Sequence, residues 1–208
     1  MHDPTLDPPS DSLPSHAPET EAGVVREVAL DVPATAEALA RYRSRAGMWV
    51  RVGLTTAAGG AVVELANAAK RLDWADVVAE VMGGLALAPL LVGLSALRLA
   101  RLMRLRLAAR PWTALPAVTA PHGPHAAAVV LRDPAPGGEP VALTLVGLHD
   151  RHRAADPGPD GRLWWCGDPQ VGGVLARPGG GELIWARAPG RLTRERILGA
   201  VRRAEDAS

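Results

Sequence analysis

A chain of 208 residues has room for one or two domains, and its net charge of +1 gives no reason to expect a nucleic acid or another polyanion as partner. The basic side chains are almost all arginine, with Lys70 the sole lysine, and there is no Phe and one Tyr. Such a skew is that of a GC-rich genome, so arginine abundance alone is not read as phosphate recognition. A single cysteine, Cys166, excludes an internal disulfide and fits a reducing compartment.

Residues 1–34 are acidic and proline-rich, with Arg26 as their one base. They have no basic segment followed by an apolar one, so a signal peptide is not expected. Too little apolar area is present to offset chain entropy. The segment is expected to be a disordered tail, with at most a short strand or turn near Val24–Leu30.

Residues 35–110 read as a helical hairpin. Thr35 or Ala34 opens it, and Glu37 falls in the first turn, where the helix dipole favours an anion. Its helices are expected at about 47–69 and 77–100, with an arginine-rich extension to 110. The stretch 81–97, VMGGLALAPLLVGLSAL, carries no charge. Its leucines and valines sum to roughly −2.5 to −5 kcal/mol toward membrane insertion. The stretch 47–69 reaches only roughly −2 to −3.5 kcal/mol and contains Arg51 and Glu64. It is therefore expected to insert as the partner of the second helix. Small residues at Gly53, Ala57 and Ala61, and at Gly84 and Ala88, would let the two approach closely.

The flanks orient this hairpin. Arg41, Arg43 and Arg45 precede it, and Arg98, Arg101, Arg104, Arg106 and Arg110 follow it. The connecting KRLDWAD has balanced charge. The positive-inside rule then puts both ends in the cytoplasm and the loop outside. The five later arginines spread round the wheel at about 100° per residue instead of sharing one face. That pattern fits a helix leaving the bilayer through anionic head groups as a stalk, not one lying on its surface. Glu64 and Glu80 are intramembrane acids near the outer surface, at similar depth, where they reach water or meet Lys70 and Arg71.

Beyond Pro111, which ends the helix, residues 111–190 read as a cytoplasmic β-domain. Short runs at 114–120, 126–132, 140–148, 162–167, 171–176 and 182–187 are separated by Gly/Pro-rich breaks. They suit a small antiparallel barrel or sandwich. Val129, Leu131, Leu143, Leu145, Leu163, Trp165, Leu175 and Ile184 are its expected core. Residues 191–208 end the chain, with an amphipathic helix at 193–204 whose apolar side is Leu192, Ile197, Leu198 and Val201.

Few residues carry chemistry. His122, His125, His149 and His152 form two pairs that a three-stranded meander would bring to one end. Neutral imidazoles suit a transition metal, although Arg151 and Arg153 would repel one. Cys166 lacks a recognisable base and reads as a buried structural thiol beside Trp165. RPGGGEL at 177–183 lacks the lysine of a phosphate loop and reads as a hairpin turn. No cofactor is expected.

The PW at 111–112 and the segment LWWCGDPQVGGVLARPGGGELIWA at 163–186 resemble small two-helix integral membrane proteins of actinobacteria with a C-terminal β-domain. The resemblance covers roughly residues 77–188, and it implies location and architecture but no activity. The layout is also similar to that of NfeD-type proteins. The expectation is an α+β membrane protein: a two-helix transmembrane hairpin, then a small barrel or sandwich and a short helix. Its expected partners are the lipid bilayer and a protein that the β-domain binds, and a homo-oligomer stays open. The second function considered is a membrane-tethered metal-dependent enzyme using the four histidines.

Overall fold

The computed structural model describes residues 24–70, 74–122, 126–133, 138–147, 153 and 156–206. Strand β1 (Val24–Val28) and a 3-10 turn at Ala29–Asp31 lead into helix α1 (Pro33–Lys70). Pro33 takes the first helical position, where a missing N–H costs nothing. The Val32 carbonyl accepts from the N–H groups of Thr35 and Ala36 at 2.9 and 3.1 Å. The short strand that the sequence allowed near Val24–Leu30 is present at the end of the expected tail. It is paired with the barrel, and Ala29 is fully buried. Helix α2 (Ala75–Ala109) then runs back along α1.

The chain next forms β2 (Pro111–His122), β3 (Ala126–Leu131), β4 (Val141–Val146), β5 (Arg162–Asp168), β6 (Gly172–Ala176) and β7 (Leu183–Arg187). Every pairing is antiparallel, in the order β1-β2-β3-β4-β7-β6-β5. A further β2–β5 pairing closes the barrel. The long β2 achieves this by changing partner along its length. Thr113 to Pro116 face β5, and Ala117 to His122 face β3. Pro116, which has no N–H to give, stands at the switch, and its carbonyl accepts from Arg132 N–H at 2.9 Å.

Alternation then fills both sides of the wall. Val129, Leu131, Leu143, Leu145, Leu163, Trp165, Leu175 and Ile184 fill the interior, as the sequence pattern predicts. Their outward neighbours are buried too. Trp112, Cys166, Val174, Ala176 and Trp185 lie beneath Leu39 of α1 and Met103 and Leu107 of α2. On the other side α3 (Arg191–Glu205) sets Ile197 and Val201 on Ala120, Ala128, Val130 and Ala142. Leu192, expected on that apolar side, is 72% exposed.

The fold is thus α+β, with a closed six-stranded antiparallel barrel and a short C-terminal helix. Two expectations change. Among the described helices only α2, over Val77–Ala109, is long and apolar enough to cross a membrane by length and composition. Helix α1 is long enough but interrupted by Arg51 and diluted by Ala, Gly and Thr. The stalk is also absent as a separate element, because the last turns of α2 lie on the barrel wall through Ala100, Met103 and Leu107.

Candidate functional site

The two long helices meet through glycines. A Cβ at Gly53 would stand 2.9 Å from the Leu90 backbone nitrogen, and one at Gly93 would stand 2.7 Å from that of Val50. Gly60 faces Met82 and Ala79. Continued along both helices, this register sets Arg45 level with Arg98, and Glu64 nearly level with Glu80. From Arg45 to Glu64 is roughly 28 Å of helix, and from Arg98 to Glu80 roughly 27 Å, at about 1.5 Å per residue. The one charge in this slab is Arg51, roughly 9 Å from the arginine end.

The slab's surface is apolar. Val52, Leu54 and Val62 of α1 and Leu85, Leu87 and Leu91 of α2 are all exposed. Only 17% of the most apolar stretch of α2 is buried within the protein, unlike the core helix of a soluble fold. Hydroxyls inside the slab turn back on their own helices. Thr55 and Thr56 donate to the Val52 carbonyl at 3.0 and 2.9 Å, and Ser95 donates to that of Val92 at 2.9 Å. In hydrocarbon such groups have no water to bond, so internal satisfaction is required.

Below the slab the arginines divide by role. Arg41 donates to the Gly181 carbonyl at 3.2 Å and pairs with Glu37 at 3.5 Å. Arg110 donates to the Gly167 carbonyl at 3.0 Å, and Arg106 is half-buried. Arg43, Arg45, Arg98, Arg101 and Arg104 are exposed and have no ion pair among the described residues. No carboxylate lies between Glu37 and Glu64 on α1, or after Glu80 on α2. The result is an uncompensated positive collar.

Just beneath the collar, α1 and α2 are fixed to the barrel. The Trp112 indole N–H donates to the buried Thr35 hydroxyl at 3.3 Å, and its ring lies 5.9 Å from that of Trp164. Gly179 and Gly180, with φ of 94° and 74°, carry the β6–β7 turn against Thr35. A Cβ on Gly180 would collide with the Thr35 hydroxyl oxygen. RPGGG is thus a turn fitted to α1. Cys166, 1% exposed, is the buried thiol expected from the sequence. The sequence marks Trp112 only as part of the PW at 111–112, because its role in the junction depends on the non-local approach of Thr35.

Concavities lie on two walls of the barrel domain. One, of about 260 Å³, lies between the helices and the end of β4. The other, of about 340 Å³, lies between α3 and the β3–β4 side, where Arg132 and Glu205 bridge it and Arg202 and Asp133 line it. The described barrel interior is filled by side chains. His125, His149 and His152 lie outside the described residues; His122 ends β2, and its side chain is likewise outside them. Among the described residues no group of three His, Cys, Asp or Glu side chains is placed to hold a metal.

The class defined by this geometry is a helical hairpin, with one membrane-competent helix, docked on a closed six-stranded barrel. No protein-family model, characterised protein or solved structure matches the chain.

Proposed function

We propose that this chain is a two-pass integral membrane protein that holds its barrel against the cytoplasmic face of the cell membrane, where the barrel binds another protein. The carrying observation is the slab of roughly 27–28 Å, bounded by a positive collar at one end and by Glu64 and Glu80 at the other. That thickness matches a bilayer's hydrocarbon core of about 30 Å. The collar marks the cytoplasmic side. Helix α1 is too polar to insert alone, but it packs along α2 through Gly53, Gly60 and Gly93, so a membrane that takes α2 takes both. Arg51 then snorkels toward the collar, and Glu64 and Glu80 reach the opposite interface. The filled barrel interior leaves partner contact to the outer surface, where the cleft beside α3 is the larger concavity.

Reporter fusions at Asp73 and after Ser208 test the topology. The expected result is an external signal at the first and a cytoplasmic signal at the second, with the protein resisting extraction by alkaline carbonate. Release of intact protein by carbonate, or a cytoplasmic signal at Asp73, overturns the reading.

A further inference from the structure

We propose that the groove between α1, α2 and the end of β4 binds one anionic phospholipid from the leaflet facing the barrel. The inference rests on the membrane reading above. The groove is lined by Tyr42 of α1, Ser95, Arg98, Leu99 and Leu102 of α2, and Val146 of β4. From Ser95 to Leu102 it runs roughly 10 Å along the helix axis. Arg98, the first charge on α2 after Glu80, sits near the middle of that run. The groove therefore straddles the boundary between hydrocarbon and head groups, continuous with the lipid-facing surface of α2.

Its chemistry matches that position. Leu99, Leu102, Ala96 and Val146 offer an apolar wall to the glycerol and upper acyl region. Arg98 supplies a cation, and exposed Arg45 is level with it. Neither has a carboxylate partner among the described residues. A phosphodiester with net negative charge supplies the missing anion through charge-assisted hydrogen bonds. Basic pockets beside membrane helices on the cytoplasmic side recognise anionic head groups in this way. The volume sets a limit. About 260 Å³ is smaller than the roughly 300–1,000 Å³ that encloses a drug-sized ligand. The groove holds a head group and glycerol while the chains remain in the bilayer.

The test uses full-length protein in a mild non-ionic detergent, offered dioleoyl phosphatidylglycerol or dioleoyl phosphatidylcholine. Native mass spectrometry then counts the retained lipid. The expected result is one phosphatidylglycerol per chain, held in preference to phosphatidylcholine. Arg98→Gln is expected to lower retention about fivefold, the effect of one interfacial arginine. Leu102→Trp, which fills the groove, is expected to do the same, and Arg196→Gln on α3 to leave retention unchanged. Equal retention of the two lipids, or full retention by Arg98→Gln, overturns the site. Carbonate extraction of the same cells separates the two readings. Carbonate-resistant protein that retains no lipid overturns the groove alone, whereas carbonate-soluble protein overturns the anchor and the groove with it.

Discussion

The Cys166 sulfur lies 3.4 Å from the Arg106 carbonyl oxygen and 3.5 Å from that of Arg110. The last carbonyls of a helix have no partner within it, so this thiol caps the end of α2 from the barrel wall. Burial pushes its pKa from 9.0 up to about 11, against the opposing pull of Arg110 and Arg106. The folded state therefore keeps its proton where the unfolded chain has lost it. The thiol's contribution to stability is whole below about pH 9 and is lost as pH rises toward 11. Wild-type protein in detergent is expected to lose thermal stability over that window more steeply than Cys166→Ala. At pH 8 a thiol reagent is expected to leave native Cys166 unmodified and to label it after denaturation. Labelling at the denatured rate before unfolding would contradict the buried cap.

At the scale of elements, glycine decides where helix meets helix. Gly93 has Val50 and Ala46 against it, whereas Gly83, on the same helix, has nothing within 4 Å. Gly93→Leu is expected to cost about 1–3 kcal/mol, the usual price of overpacking. Gly83→Leu is expected to cost much less, and thermal unfolding in one detergent compares them. Equal effects would mean that α1 and α2 do not pair in this register. These glycines were only partly legible in the sequence. Gly53 stood out by its spacing, but Gly93 did not, because a small residue takes its meaning from what lies opposite. The strands were far more legible. β2 to β7 begin and end within a few residues of the runs read from the sequence, since apolar residues between Gly/Pro turns mark them locally. The choice of barrel over sandwich was not legible. It depends on β2 changing partner at Pro116, which no local pattern announces. The docking of α2 was hidden for a similar reason. Met103 and Leu107 are buried among exposed arginines, and that face has meaning only beside Trp112, Cys166 and Trp185. The histidine pairs lie where the structure describes no side chain, so the metal-site reading gains no support from the geometry.

For the whole molecule, the hairpin is a wall of the barrel domain as well as its proposed anchor. Its lower turns cover the outer face of β5, β6 and β7, while its upper turns form the apolar slab. Burying a large apolar side chain gives about 1.5–3 kcal/mol. Uncovering Trp112, Val174 and Trp185 would therefore cost an amount comparable to the whole stability of a small domain, about 5–15 kcal/mol. Residues 111–206 expressed alone are expected to bind a hydrophobic dye and to melt without a cooperative transition. A cooperative, dye-silent fragment would show that the barrel is an independent cargo on its anchor. If the dependence holds, the barrel cannot swing freely relative to the hairpin. The Trp112–Thr35 hydrogen bond, the Arg110–Gly167 contact and the Cys166 cap fix its pose relative to the helices. On the proposed membrane reading, the tilt of α2 then also sets which side of the barrel a partner meets, and the cleft beside α3, on the wall opposite the hairpin, is left uncovered by α1 and α2.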